Sequence, residues 1–166
     1  MGRIDWIKDL VVAEQRMEEQ GIVELDGLNN QSEMLKTETI DFLRDLRAAF
    51  IESCSAFNEL KGSQIGQVKI YGISKTVADF MLFRNGYKLI FSMTRPGEIA
   101  IILNHVTAHH LATPGAADPG TAMSHDLLQA HWGAFGELNW RFKDSKINLD
   151  YLVRYYMTRF VKESLK

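Results

Sequence analysis

Five histidines confined to one stretch, His105, His109, His110, His125 and His131, with Asp126 among them, are the residues that most invite chemistry. Neutral imidazole is a common ligand for zinc and related metals, so a metal-dependent enzyme using this cluster is one reading. Spacing tests it. If Asn104–His110 continues a strand, His105 and His109 share a face but stand about 13 Å apart, too far to hold one ion. If the segment is helical, the same pair stand about 6 Å apart and can chelate. The β-branched Val106 and Thr107 favour the strand. His105 and His109 remain the candidate metal ligands, and no cofactor is otherwise implied.

No other nucleophile or phosphate site emerges. Cys54 is the single thiol, and it falls on the same helical stripe as Phe50 and Phe57, where it packs as a small apolar residue. No G-x-S-x-G elbow exists for a Ser-His-Asp set. Gly62-Ser63-Gln64-Ile65-Gly66 has the glycines of a phosphate loop but lacks the Lys-Ser/Thr that opens a phosphate-binding helix, and reads as a turn. The chain carries no catalytic signature.

Basic and aromatic residues interleave at Lys69, Tyr71, Phe83, Arg84, Tyr87 and Lys88, a composition suited to an anionic ligand or single-stranded nucleic acid. A pI near 6.2 argues against the second, because nucleic-acid binding calls for a strong basic footprint.

These residues are positioned by Val77–Asn104. Two apolar runs flank Asn85-Gly86, the pair best suited to the positive φ angles of a type I′ turn. A two-residue turn there sets Arg84 opposite Tyr87, Leu82 opposite Leu89, Phe80 opposite Phe91 and Ala78 opposite Met93, which makes one face a core. The other face pairs Phe83 with Lys88, Met81 with Ile90, Asp79 with Ser92 and Val77 with Thr94. Pro96-Gly97 turns the chain again, and Ile99–Leu103 returns as a third strand, with Ile99 and Ile101 expected to extend the mixed face. Met81, Phe83, Lys88 and Ile90 form a face too apolar for solvent, and they are the candidate ligand or partner surface.

Helices are predicted over Ile4–Gln20, stopped by Gly21, over Thr37–Leu60, stopped by Gly62, and over Asn148–Leu165 with Asn148 as its cap. The second is about 35 Å long, so its overhang packs against the first helix or against a second subunit. Gln67–Ser74 and Glu137–Phe142 alternate as strands, Lys143–Lys146 turns, and Met123–Phe135 reads as a short helix capped by Ser124 with Leu127, Leu128 and Trp132 inward. Leu111–Ala122, rich in Pro, Gly and Ala, is expected to be a mobile loop within one domain.

The totals agree with one α+β domain spanning residues 1–166: an antiparallel sheet of about four or five strands with two N-terminal helices and one C-terminal helix packed on it. One cysteine excludes an internal disulfide, no apolar run is long enough to span a membrane, and no signal peptide is visible. A cytoplasmic location follows as the expectation. Charge is uneven: residues 1–60 hold six Lys/Arg against thirteen Asp/Glu, whereas residues 61–104 hold six against two. The function expected is a non-enzymatic, intracellular interaction or regulatory module, with a protein partner or a second copy (a homodimer) on the sheet, nucleic acid disfavoured and no membrane contact.

Overall fold

The computed structural model describes residues 3–21, 31–73, 77–105 and 121–165. Its contacts divide the chain into two units, Met1–Glu33 and Met34–Lys166. The first contains α1 (Asp5–Gln20), closed by Gly21 at φ 65°, whose N–H donates to the Met17 carbonyl. None of the residues of α1 is buried.

The second unit is an α+β layer. Helix α2 (Gln31–Lys61) enters it and is followed by β1 (Lys69–Gly72), β2 (Phe80–Arg84), β3 (Tyr87–Arg95), β4 (Glu98–His105), β5 (Thr121–Trp132), β6 (Leu138–Phe142), β7 (Ser145–Lys146) and α3 (Leu149–Glu163). Among the described residues the seven strands form one antiparallel meander in sequence order. Seven replaces the four or five expected, for two reasons. Met123–Trp132 is strand rather than helix, and the supposed turn at Lys143–Lys146 is itself a hairpin, with Lys143 and Asp144 at positive φ and Ser145–Lys146 paired to β6.

Between Phe80 and Phe91 the β2–β3 hairpin has the expected register, Phe80 to Phe91, Met81 to Ile90, Leu82 to Leu89, Phe83 to Lys88 and Arg84 to Tyr87. Asn85 and Gly86 take φ of 52° and 83°, as a type I′ turn requires. Phe80 and Phe91 stack at 4.8 Å, and Phe50 of α2 tilts onto them at 6.0 and 4.9 Å. Leu43, Leu46, Phe50 and Cys54 of α2 share this core with Leu152, Val153, Tyr156 and Phe160 of α3 and with alternate residues of β2–β6. Both helices therefore lie on the same face of the sheet.

Three polar clasps fix the layers. Asn58 of α2 donates to and accepts from the Val68 backbone at 2.9 Å, standing in for a strand at the start of β1. Gly97, at φ 86°, donates its N–H to Thr39 Oγ1 at 2.8 Å, tying the β3–β4 turn to α2. Arg84, buried beside the hairpin turn, donates to the Gly66 carbonyl at 2.7 Å, the Val161 carbonyl at 3.0 Å and Ser164 Oγ at 3.2 Å, while Asn85 Nδ2 donates to the Ser164 carbonyl. A cation at the C-terminal end of α3 also opposes the negative end of its dipole. Asn148 caps the other end, accepting from the Asp150 and Tyr151 amides.

The two faces of the hairpin give a direct test of this packing. Phe91→Ala is expected to lower the unfolding free energy by about 3–5 kcal/mol. Phe83→Ala, on the opposite face, should cost about 1 kcal/mol or less in the isolated chain. Chemical denaturation of the two variants side by side checks the difference.

Candidate functional site

The four residues assigned to a partner surface lie together. Met81 faces Ile90 and Phe83 faces Lys88 across the β2–β3 ladder. Tyr71 and Lys69 of β1 flank them on one side, and Ile102 and Asn104 of β4 on the other. Met81, Phe83, Ile90 and Ile102 are half-buried, yet none belongs to the core shared by α2 and α3. Among the described residues of the second unit, neither α2 nor α3 packs on this face, which makes it the helix-free one.

One expected part of that face is elsewhere. Ile99 and Ile101 are fully buried in the core, and Ile102 takes the place opposite Ile90. A plain Pro-Gly turn would set Ile99 against Thr94 and Ile101 against Ser92, on the mixed face. The irregularity between Met93 and Arg95 shifts the register by one residue, so Met93 meets Ile99 and Phe91 meets Ile101. A one-residue shift turns every side chain of a strand over.

The basic and aromatic set is divided by the same alternation. Lys69, Tyr71, Phe83 and Lys88 are on the helix-free face, whereas Arg84 and Tyr87 are buried on the core side. Two buried polar atoms of the helix-free face, Asn104 Oδ1 and Arg141 Nε, have no hydrogen-bond partner among the described residues. Asp79, at the end of this face, accepts from Ser92 Oγ at 2.7 Å and from the Met93 amide at 3.1 Å, ending the β2–β3 ladder with a side chain.

The described histidines do not converge. His105 closes β4 on the core side, its ring stacked on Tyr87 at 4.1 Å. His125 is exposed opposite Ile102, on the other face, and His131, opposite Asn139, is six residues further along β5, about 20 Å away. His109 and His110 fall outside the described residues, as does most of the loop expected at 111–122, though Thr121 and Ala122 already belong to β5. Among the described residues, no three of His, Cys, Asp and Glu come close enough to hold an ion. Cys54 is in the core, and burial pushes its thiol up to about 12, so it is no nucleophile at neutral pH.

A polar pair that sequence reading missed joins α3 to β5. Tyr156 donates its hydroxyl to Asp126 Oδ2 at 2.7 Å and meets the Phe91 ring edge-on at 6.0 Å. Burial, and then the hydrogen bond to Asp126, raise the Tyr156 pKa far above its ordinary value. The phenol remains a neutral donor, a clasp rather than an acid. The two residues are 30 positions apart, and reading Asp126 as part of a helix hid the pairing.

Comparison with family models, with curated proteins and with solved structures found no match to this chain. Among the described residues, no helix is long and apolar enough to cross a membrane.

The Tyr156–Asp126 clasp has a pH signature. Its folded-state pKa lies above the ordinary 10.0, so its stabilisation is intact below about pH 10 and is lost as pH rises beyond that. Tyr156→Phe is expected to cost about 1.5–3 kcal/mol at neutral pH and to flatten the loss of stability seen in alkali. Denaturant titrations near pH 7 and pH 11 measure both effects.

Proposed function

We propose that the chain is a non-enzymatic interaction module whose recognition surface is the helix-free face of the sheet, centred on Met81, Phe83, Lys88 and Ile90, with a second copy of the chain as its partner. The observation that carries this reading is the placement of α2 and α3 on one face, which leaves Met81, Phe83, Ile90 and Ile102 outside the core. Contiguous apolar surface of this kind gains about 25 cal/mol for each Å² removed from water. Lys69 and Lys88 beside it select a partner surface bearing carboxylates. The chain carries that chemistry itself, with thirteen Asp/Glu against six Lys/Arg in residues 1–60, so another copy suffices.

The unpartnered Arg141 Nε supports a second reading, an organic or phosphate anion bound on the same face. The two readings separate by mass. Sedimentation equilibrium over roughly 1–100 μM is expected to show association beyond one chain, weakened by salt. Met81→Glu with Ile90→Glu should return the protein to a single-chain mass with its circular dichroism unchanged. A single-chain mass for the unaltered protein across that range overturns the self-association reading.

A further inference from the structure

Helix α1 keeps most of its apolar side chains in solvent. None of its residues is buried, and Trp6 and Leu10 are 62% and 56% exposed, with Ile7, Val11 and Val12 also open. At about 100° per residue, Trp6, Leu10, Ala13 and Met17 fall on one stripe, following the i, i+4, i+7, i+11 spacing. Glu14 and Glu18 border that stripe on one side and Asp9 on the other. A helix of 16 residues is marginal by itself in water, and such helices draw most of their stability from packing an amphipathic face.

Charge limits what covers the stripe. Asp5–Gln20 holds five Asp/Glu against two Lys/Arg, so a second α1 or an anionic lipid surface is repelled and a surface bearing cations is favoured. The helix-free face of the sheet has that chemistry. Tyr71, Met81, Ile90 and Ile102 face one another in a single row across β1–β4, and Lys69, Phe83, Lys88 and Asn104 form the next row on that face. Three strand spacings make the apolar row about 14 Å long. Trp6 to Met17 spans about 16 Å at 1.5 Å per residue. The two apolar strips match in length, with lysines beside one and glutamates beside the other.

We infer, building on the self-association proposed above, that α1 of one copy lies across the helix-free sheet face of a second copy. Its Trp6, Leu10, Ala13 and Met17 stripe rests on the row of Tyr71, Met81, Ile90 and Ile102, and Glu14 and Glu18 stand beside Lys69 and Lys88. The same contact made in the other direction closes the pair, each copy giving one helix and receiving one. A sheet with apolar side chains on both faces gains its second covering layer in this way.

Sedimentation equilibrium of full-length variants tests the inference. Trp6→Glu with Leu10→Glu, both at exposed positions, is expected to weaken association by about tenfold or more, with near-ultraviolet circular dichroism verifying that the core stays packed. Glu14→Lys with Glu18→Lys should weaken it about tenfold, as should Lys69→Glu with Lys88→Glu, and all four changes in one chain should restore it to within about threefold. Association lost in Met81→Glu with Ile90→Glu but unchanged in both α1 variants overturns the role of α1 and leaves the self-association reading standing. Association lost in the α1 variants but kept in Met81→Glu with Ile90→Glu, or no recovery in the fourfold variant, overturns the sheet face as the seat of α1. A single-chain mass for the unaltered protein overturns both readings.

Discussion

The stack of Phe80 on Phe91, capped by Phe50, is the contact on which the other elements of the second unit depend. It exists because Asn85 and Gly86 accept positive φ and close a two-residue turn, which fixes which residues of β2 and β3 share a face. Each aromatic pair adds about 0.5–1.5 kcal/mol beyond its buried area. The geometry then propagates outward. Arg84, adjacent to the turn, is carried to the C-terminal end of α3, where carbonyls of Gly66 and Val161 and the Ser164 hydroxyl satisfy its guanidinium. A buried cation without hydrogen bonds would cost several kcal/mol, so the hairpin and α3 hold each other in place.

Local signals explain what was legible. Asn85-Gly86, the alternation Leu138, Trp140, Phe142, and the apolar stripe of α3 behind Asn148 each need only neighbours in sequence, and each appears as read. Strand β5 did not reveal itself because Leu127, Leu128 and Trp132 fit helical spacing as well as a strand. Pairing with β4 on one side and β6 on the other decides the matter, and such pairing is a tertiary fact. The register shift near Thr94 was invisible for a related reason. Arg95-Pro96-Gly97-Glu98 specifies a turn but not the extra residue before it, and that residue decides which isoleucines enter the core.

The candidate site shows the same division. That Met81, Phe83, Lys88 and Ile90 share one face was readable from the turn alone, since hairpin register is a local property. The histidines illustrate the opposite case: nearness in sequence between His105 and His131 implied a cluster, whereas a strand places alternate residues on opposite faces and separates distant ones by 3.3 Å per residue. His105 and His125 thus end on opposite sides of one sheet. Tyr156 and Asp126 reverse the lesson, being far apart in sequence and bonded in space.

The placement of both helices on one side governs how the other side must behave. On the core side, α2 and α3 exclude water from Phe80, Leu89, Phe91 and Ile101, which are almost fully buried. On the opposite side, neither helix shields Met81, Phe83, Ile90 and Ile102, and lysines stand among them at Lys69 and Lys88. An antiparallel sheet that simply met solvent would alternate apolar with polar residues strand by strand. This face does so only in part, because β2 and β3 contribute three apolar side chains to one polar one. Its edges are short and charged, β1 beginning at Lys69 at one margin and β7 carrying Lys146 at the other, which disfavours growth of the sheet strand by strand. The association proposed above is therefore one through the face and not through the edge.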